Sequence, residues 1–245
     1  MTGLPRQLVL LAAFLLGMTA GRAATNDDFE NGIALSMSGQ LPEAATAFGN
    51  AAKPHPSSGT LVDLGLAEWQ SGHAGAAILA WEQARWINPY DLRAAANLDF
   101  ARQVAQVEAP ELKWYEAVST ILPPATWMWL TALTLWAILG LMILPGVLRR
   151  RRTGWHQWLA ALAFGIFLFS LTADFGVTSR SNIGFIVRKN TQLRLTPTSE
   201  ADSVSTLASG ESARRLRTRG NFVFIRTPAA SGWVAQDEFQ TICPP

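Results

Sequence analysis

Two apolar stretches free of Asp, Glu, Lys and Arg, residues 127–148 and 155–173, flank four consecutive arginines, Arg149, Arg150, Arg151 and Arg152. At 1.5 Å of rise per residue, about 20 apolar residues cover a hydrocarbon layer of roughly 30 Å. A helical hairpin on a water-soluble protein carries a polar stripe at helical period, and neither stretch has one. The expectation is a pair of transmembrane helices, 126–148 and 155–175, joined by a tight loop over 149–154. Trp127 and Trp129 open the first and Trp155 and Trp158 the second, at the headgroup levels where indole rings settle. Trp136, near the middle, reads as bulk against lipid or a neighbouring helix. Short Arg-rich loops stay on the cytoplasmic side, so both long flanks are expected outside. The loop is too short to present a nucleic-acid surface, though contact with anionic lipid headgroups is compatible with it.

About 100 residues precede this hairpin and about 70 follow it, each enough for a small core. The near-neutral total of +2 hides a split. Residues 25–126 carry twelve acidic and five basic side chains, whereas residues 176–245 carry nine basic and five acidic ones. Two regions of opposite sign on the same side of a membrane can attract each other or recruit different partners. The one cysteine, Cys243, has no intramolecular disulfide partner, so neither region depends on a bridge. Residues 1–24 read as an export signal: Arg6 supplies the positive start, residues 8–18 the apolar stretch, and Gly21, Arg22 and Ala23 a small-x-small cleavage pattern. Cleaved or retained as a further span, it places the following region outside.

Residues 25–108 contain an internal repeat. Gly32, Gly39, Ala44, Phe48, Ala51 and Pro56 recur, shifted by 33, as Gly65, Gly72, Ala77, Trp81, Ala84 and Pro89. Gly32 and Gly65 let paired helices approach closely, Gly39 and Gly72 end the first helix in left-handed geometry, and Phe48 and Trp81 fill the space between. Residues 91–107 add one more helix, like the opening of a third unit lacking its second half. About three units are needed to bury a continuous core, so further packing is expected from the segment after Pro110, the membrane or a partner. Within the 109–125 linker, Trp114, Tyr115, Val118 and Leu122 stand at helical spacing, as on a helix lying along a membrane surface.

After residue 175 a short polar linker, 176–182, leads to strand-like runs over 183–188, 191–195, 204–207, 212–218, 222–227 and 232–234. Pro197, Gly210, Gly220 and Pro228 punctuate the gaps. Many short strands in so few residues indicate a small barrel over 176–245. The expected fold is thus a multidomain membrane protein with α-helical hairpins, a two-helix transmembrane hairpin and a C-terminal all-β barrel.

No catalytic constellation stands out. His55, His73 and His156 share no ligand spacing with one another or with Cys243, and neither a phosphate loop nor a nucleophile elbow occurs. No cofactor or metal is expected, and the reading is of a protein that is not an enzyme. Most of the carboxylates before the hairpin read as solvating helix faces, and Asp174 as a helix-end charge in water. Candidate partner-binding residues on the helical units are Asn31, Leu35 and Ser38 in the first and Leu64, Glu68 and Ser71 in the second. On the β region, Arg194, Phe222, Phe224 and Trp233 are candidates for lining a groove, with Phe222 and Trp233 as barrel core the plainer reading.

The repeat resembles the tetratricopeptide pattern, departing from it where Asp28 and Leu61 replace a common Trp. Leu193, Arg194, Leu195, Thr196 and Pro197, with Gly220, Asn221 and Phe222 and the closing Gly232, Trp233 and Val234, resemble a bacterial SH3-type domain. The order of signal, repeats, hairpin and SH3-like domain is similar to that in the Bacteroides aerotolerance family. That resemblance implies a noncatalytic scaffold in the inner membrane of a bacterium, with both long domains in the periplasm. It implies partners among von Willebrand A-domain membrane proteins and a MoxR-type ATPase, in stress tolerance. The alternative expectation is an envelope protein that binds peptidoglycan through its SH3-like domain.

Overall fold

The computed structural model of the protein describes residues 27–147 and 154–244. The export-signal residues and Arg149, Arg150, Arg151 and Arg152 lie outside the described residues. Among the described residues, eight helices and seven strands follow in order. Helix α1 covers 27–37, followed by α2 (Leu41–Ala52), α3 (Ser58–Gln70), α4 (Ala74–Ile87), α5 (Leu92–Ala105), α6 (Trp114–Val118), α7 (Pro124–Val147) and α8 (Gly154–Arg180). The strands are β1 (Ile183–Ile186), β2 (Thr191–Arg194), β3 (Ser203–Leu207), β4 (Ser212–Arg219), β5 (Phe222–Arg226), β6 (Ser231–Ala235) and β7 (Phe239–Thr241).

Helices α1 to α5 form the stacked pairs that the repeat predicts. A Cβ on Gly32 would lie 2.7 Å from the Phe48 ring, and one on Gly65 would lie 2.7 Å from Cδ1 of Trp81. These ring faces therefore sit directly on glycine backbone. Trp81 also donates its indole N–H to the Val62 carbonyl at 3.1 Å, so its polar edge is satisfied despite burial. Gly39 and Gly72 have φ of +78° and +82°, the left-handed turn that separates each helix from its mate. Helix α5 is capped by Asp91, whose carboxylate accepts from the amides of Arg93 and Ala94 and from Ser58 Oγ one repeat earlier at 2.5 Å.

The C-terminal sheet is antiparallel throughout, in the order β3-β2-β6-β5-β4-β1-β7. Ile186, Leu193, Leu207, Ala213, Val223, Ile225, Val234 and Phe239 gather on it into one apolar cluster. The six sequence-predicted strands appear within a few residues of their expected ends. The seventh, β7, was not expected: Phe239, Gln240 and Thr241 make too short a run to stand out in the sequence, and pairing with β1 makes them a strand.

The two flanking regions are not separate bodies. Ile183 and Phe185 from β1, with Ile242, share a core with Ile78, Trp81, Ala94, Leu98 and Ala101 of the helices. The incomplete third repeat is thus closed by the sheet, where the sequence pointed to the linker, the membrane or a partner. Gly75 donates its backbone N–H to Ser209 Oγ at 3.0 Å, and Gln83 donates to the Thr241 carbonyl at 3.2 Å. Cys243 is half-buried against the same core.

Helices α7 and α8 pair along their length, and each is long and apolar enough to cross a membrane, over Pro124–Ile143 and Trp155–Arg180. Their outward faces stay exposed, with Trp129, Trp136, Trp155 and Trp158 among the bared side chains. Trp127 differs from the headgroup-facing expectation. It is 1% exposed, packs edge-on against Phe169 at 5.8 Å and donates to the Ser119 carbonyl at 3.2 Å. Asp174 is likewise tied into the hairpin rather than left as a simple end charge in water, accepting from Thr131 Oγ1 at 2.6 Å. No linker separates hairpin from sheet, because α8 continues through the expected 176–182 stretch to Arg180 and enters β1 three residues later.

Candidate functional site

The point where repeats, hairpin and sheet meet is built around one carboxylate, Glu116. Extended backbone at Lys113 starts α6, and Glu116 at its third position turns back to accept from the Lys113 amide at 2.8 Å. Such a first-turn carboxylate satisfies an amide that the helix leaves unpaired. The segment lies against α8 because Gly176 has no side chain: a Cβ there would lie 2.9 Å from Cβ of Ser119. Ring packing of Tyr115 on Phe175 at 5.2 Å continues the contact. The segment therefore docks on α8 instead of extending as a separate surface helix. Because α8 runs on to Arg180 and β1 pairs with β4, Ser179 and Arg214 arrive beside the same carboxylate.

The side chain of Glu116 is 0% exposed, which sets it apart from the carboxylates that solvate helix faces. Arg214 grips it with both terminal nitrogens, Nη1 to Oε1 at 2.7 Å and Nη2 to Oε2 at 2.6 Å. Ser179 donates to Oε1 at 2.5 Å. Burial alone would push the Glu116 carboxyl up, but the Arg214 hydrogen bonds, with those from Ser179 and the Lys113 amide, outweigh it and bring it down to about 2. Arg214 is in turn held above its ordinary range, chiefly by its hydrogen bonds to Glu116. Arg214 also donates to the Glu111 carbonyl at 3.0 Å. A second layer lies beneath: Arg180 donates to Ser119 Oγ at 3.2 Å and stacks over the Trp86 ring at 5.0 Å. With four donors around two oxygens, the ionised carboxylate has the bonding of a fixed clamp rather than of a proton-transfer group.

The sequence-selected residues fall into two groups. Leu35 and Leu64 come together against Ala44, Phe48 and Ala67 as inter-helix packing. Asn31 and Ser38 are exposed, and Ser38 Oγ donates to the Leu35 carbonyl at 2.9 Å. Glu68 faces His73 Nδ1 at 2.8 Å, and Ser71 Oγ donates to the Ala67 carbonyl at 2.8 Å. On the sheet, Phe224 and Trp233 form an edge-on ring pair at 5.2 Å. Arg217 lies over both rings, 4.7 Å and 5.2 Å from their centres. Phe222 borders a shallow cleft with Pro197 and Arg219, while Arg194 donates to the Ser199 carbonyl and secures that loop. Phe222 is half-buried beside that cleft, whereas Trp233 is buried, at 5% exposed.

Sequence reasoning missed Glu116, Ser179, Arg180, Arg214 and Arg217. A signal existed for Glu116, since a carboxylate three residues after a helix start is a capping pattern. A signal existed for Arg217 too, which a strand register would place across from Phe224. Nothing local marked Arg214, which finds Glu116 98 residues away in the chain. Among the described residues no three His, Cys, Asp or Glu side chains gather as a metal site. The helical repeats, the apolar helix pair and the antiparallel sheet are thus joined at one polar clamp. Compared with protein-family models, curated protein sequences and solved structures, the chain matches none of them.

Proposed function

We propose that the protein is a noncatalytic membrane-anchored scaffold that holds a helical-repeat surface and a β surface in fixed relation for protein partners. The observation that carries this reading is the shared core of helices and sheet, clamped by Glu116 and Arg214 to the end of the apolar hairpin. A rigid platform of this kind loses less ordering entropy when it binds, which favours assembly. Helix α5 ends the stack and leaves Leu92, Phe100 and Val104 exposed, apolar area of the kind a partner helix covers. The hairpin crosses the inner membrane with its arginine loop in the cytoplasm, and the platform stands in the periplasm. The C-terminal sheet serves as an SH3-like barrel. The chain acts as a BatE-like member of the Bacteroides aerotolerance family, beside von Willebrand A-domain membrane proteins and a MoxR-type ATPase. Pulldown of the full chain from detergent extracts should recover membrane proteins whose retention depends on the α5 face. Equal recovery with Phe100→Asp and Val104→Asp would count against the proposal.

A second reading is favoured by one feature, the Arg217 stack on Phe224 and Trp233. The exposed Arg217 guanidinium on the half-buried Phe224 ring, with Trp233 buried beside it, offers charge and some apolar surface together, as sugar–peptide polymers of the cell wall require. Sedimentation of the full chain in detergent with purified wall material tests it. Loss of co-sedimentation on Arg217→Ala supports wall binding, and a protein that stays in the supernatant rejects it.

A further inference from the structure

Beside the clamp, on the helix side, lies a cavity of about 170 Å³ whose polar lining is Glu82, Arg85, Arg102, Thr120 and Arg180. Three guanidiniums against one carboxylate leave two positive charges in excess. Glu82 is already engaged by Arg102, and Arg180 is held by Ser119 and the Trp86 ring. Arg85 has no carboxylate within ion-pair distance among the described residues. The Nε–H groups of Arg85 and Arg102 are buried and meet no acceptor. Buried donors on charged groups are costly to leave unpaired, and uncompensated like charge adds to that cost. A region this rich in forked donors, walled by Pro89, Pro110, Leu112, Ile183 and Ile242, is complementary to a compact oxyanion.

We infer that this cavity binds a phosphate group. Thr120 lies four residues before α7 and Arg180 is the last residue of α8, so the cavity sits level with one end of the apolar hairpin. A phosphate reaches that level either as the headgroup of an anionic phospholipid or free from solution. The inference is independent of the scaffold reading.

The test uses the full chain, with Arg85→Gln as the main variant, because Arg85 makes no ion pair whose loss would disturb the fold. Inorganic phosphate titrated against thermal unfolding in detergent probes the free anion, with chloride at matched ionic strength as reference. Nanodiscs of phosphatidylcholine with or without phosphatidylglycerol probe the headgroup, read as lipid retained through delipidation in native mass spectrometry. A saturable phosphate-dependent rise in melting temperature, roughly 10- to 100-fold weaker in Arg85→Gln, supports the site with free phosphate as its source. Retained phosphatidylglycerol that is lost in Arg85→Gln supports it with the headgroup as source. Should Arg85→Gln fail to fold, Arg85→Lys keeps the charge without the fork and must also weaken binding. Absence of both responses, or responses equal in wild type and variants, overturns the assignment.

Discussion

Replacing Glu116 with Gln keeps the shape of the side chain but places an amide N–H₂ where a carboxylate oxygen now accepts. The new donor would face the Arg214 guanidinium in either orientation, with Ser179 Oγ or the Lys113 amide beside it, and the ion pair is lost. The carboxyl drops from an ordinary 4.5 to about 2 on folding, which corresponds to roughly 3 kcal/mol of stabilisation in the ionised state. The sign follows from the direction: the folded value lies below the unfolded one, so the unfolded chain binds more protons in between. The contribution is complete above about pH 4.5, declines as pH falls towards 2, and is absent below that. Local opening of α6 away from α8 should therefore become easier by roughly 100-fold in Glu116→Gln near neutral pH. Amide hydrogen exchange over residues 113–119 and 176–182, in the full chain in detergent, reads this opening directly. In wild type the same amides should lose protection between pH 4.5 and 2, after correction for intrinsic exchange, while the variant should show no such dependence. Protection in Glu116→Gln equal to wild type near neutral pH, or an unchanged acid response, would refute the claim that this carboxylate clamps the junction.

Three further outcomes follow from the packing. Gly65→Ala places a methyl group against the Trp81 ring and should cost about 1–3 kcal/mol, measured as a lowered denaturation midpoint, whereas Gly49→Ala, with open space around it, should not. Phe185→Ala empties a position in the shared core and should cost about 3–5 kcal/mol; hydrogen exchange should rise in α4 and α5 as well as in the sheet, and a rise confined to the sheet would separate the two bodies. Thr131→Val removes the hydroxyl that bonds Asp174 and should weaken α7–α8 pairing by about 1 kcal/mol, seen as earlier unfolding of the hairpin in a detergent series.

A clamp of this kind explains why the charge difference between the two flanks does not by itself hold them together. Among the described residues, the only ion pair joining the acidic N-terminal side to the basic sheet is Glu116 with Arg214. The rest of the contact is apolar core and neutral hydrogen bonds. Exposed charges separated by more than about a Debye length are screened in physiological salt, whereas a pair with one buried partner is screened much less. The apolar core supplies the attraction, and the clamp fixes the orientation.

Sequence alone determined the local elements. The repeat register at Gly32, Gly65, Phe48 and Trp81, the turns at Gly39 and Gly72, the two long apolar helices and six of seven strands were all legible, because each depends on neighbours within a few residues. Only the tertiary structure decided how those elements close on one another. It extended α8 through an expected linker, recruited Ile183 and Phe185 to finish the third repeat, and made a strand of Phe239, Gln240 and Thr241. It also turned Glu116 from one of twelve acidic residues into a buried anchor. A side chain's neighbours in the chain report its helix or strand preference. Its ionisation and its partners depend on groups brought near by the fold, as Arg214 is brought to Glu116.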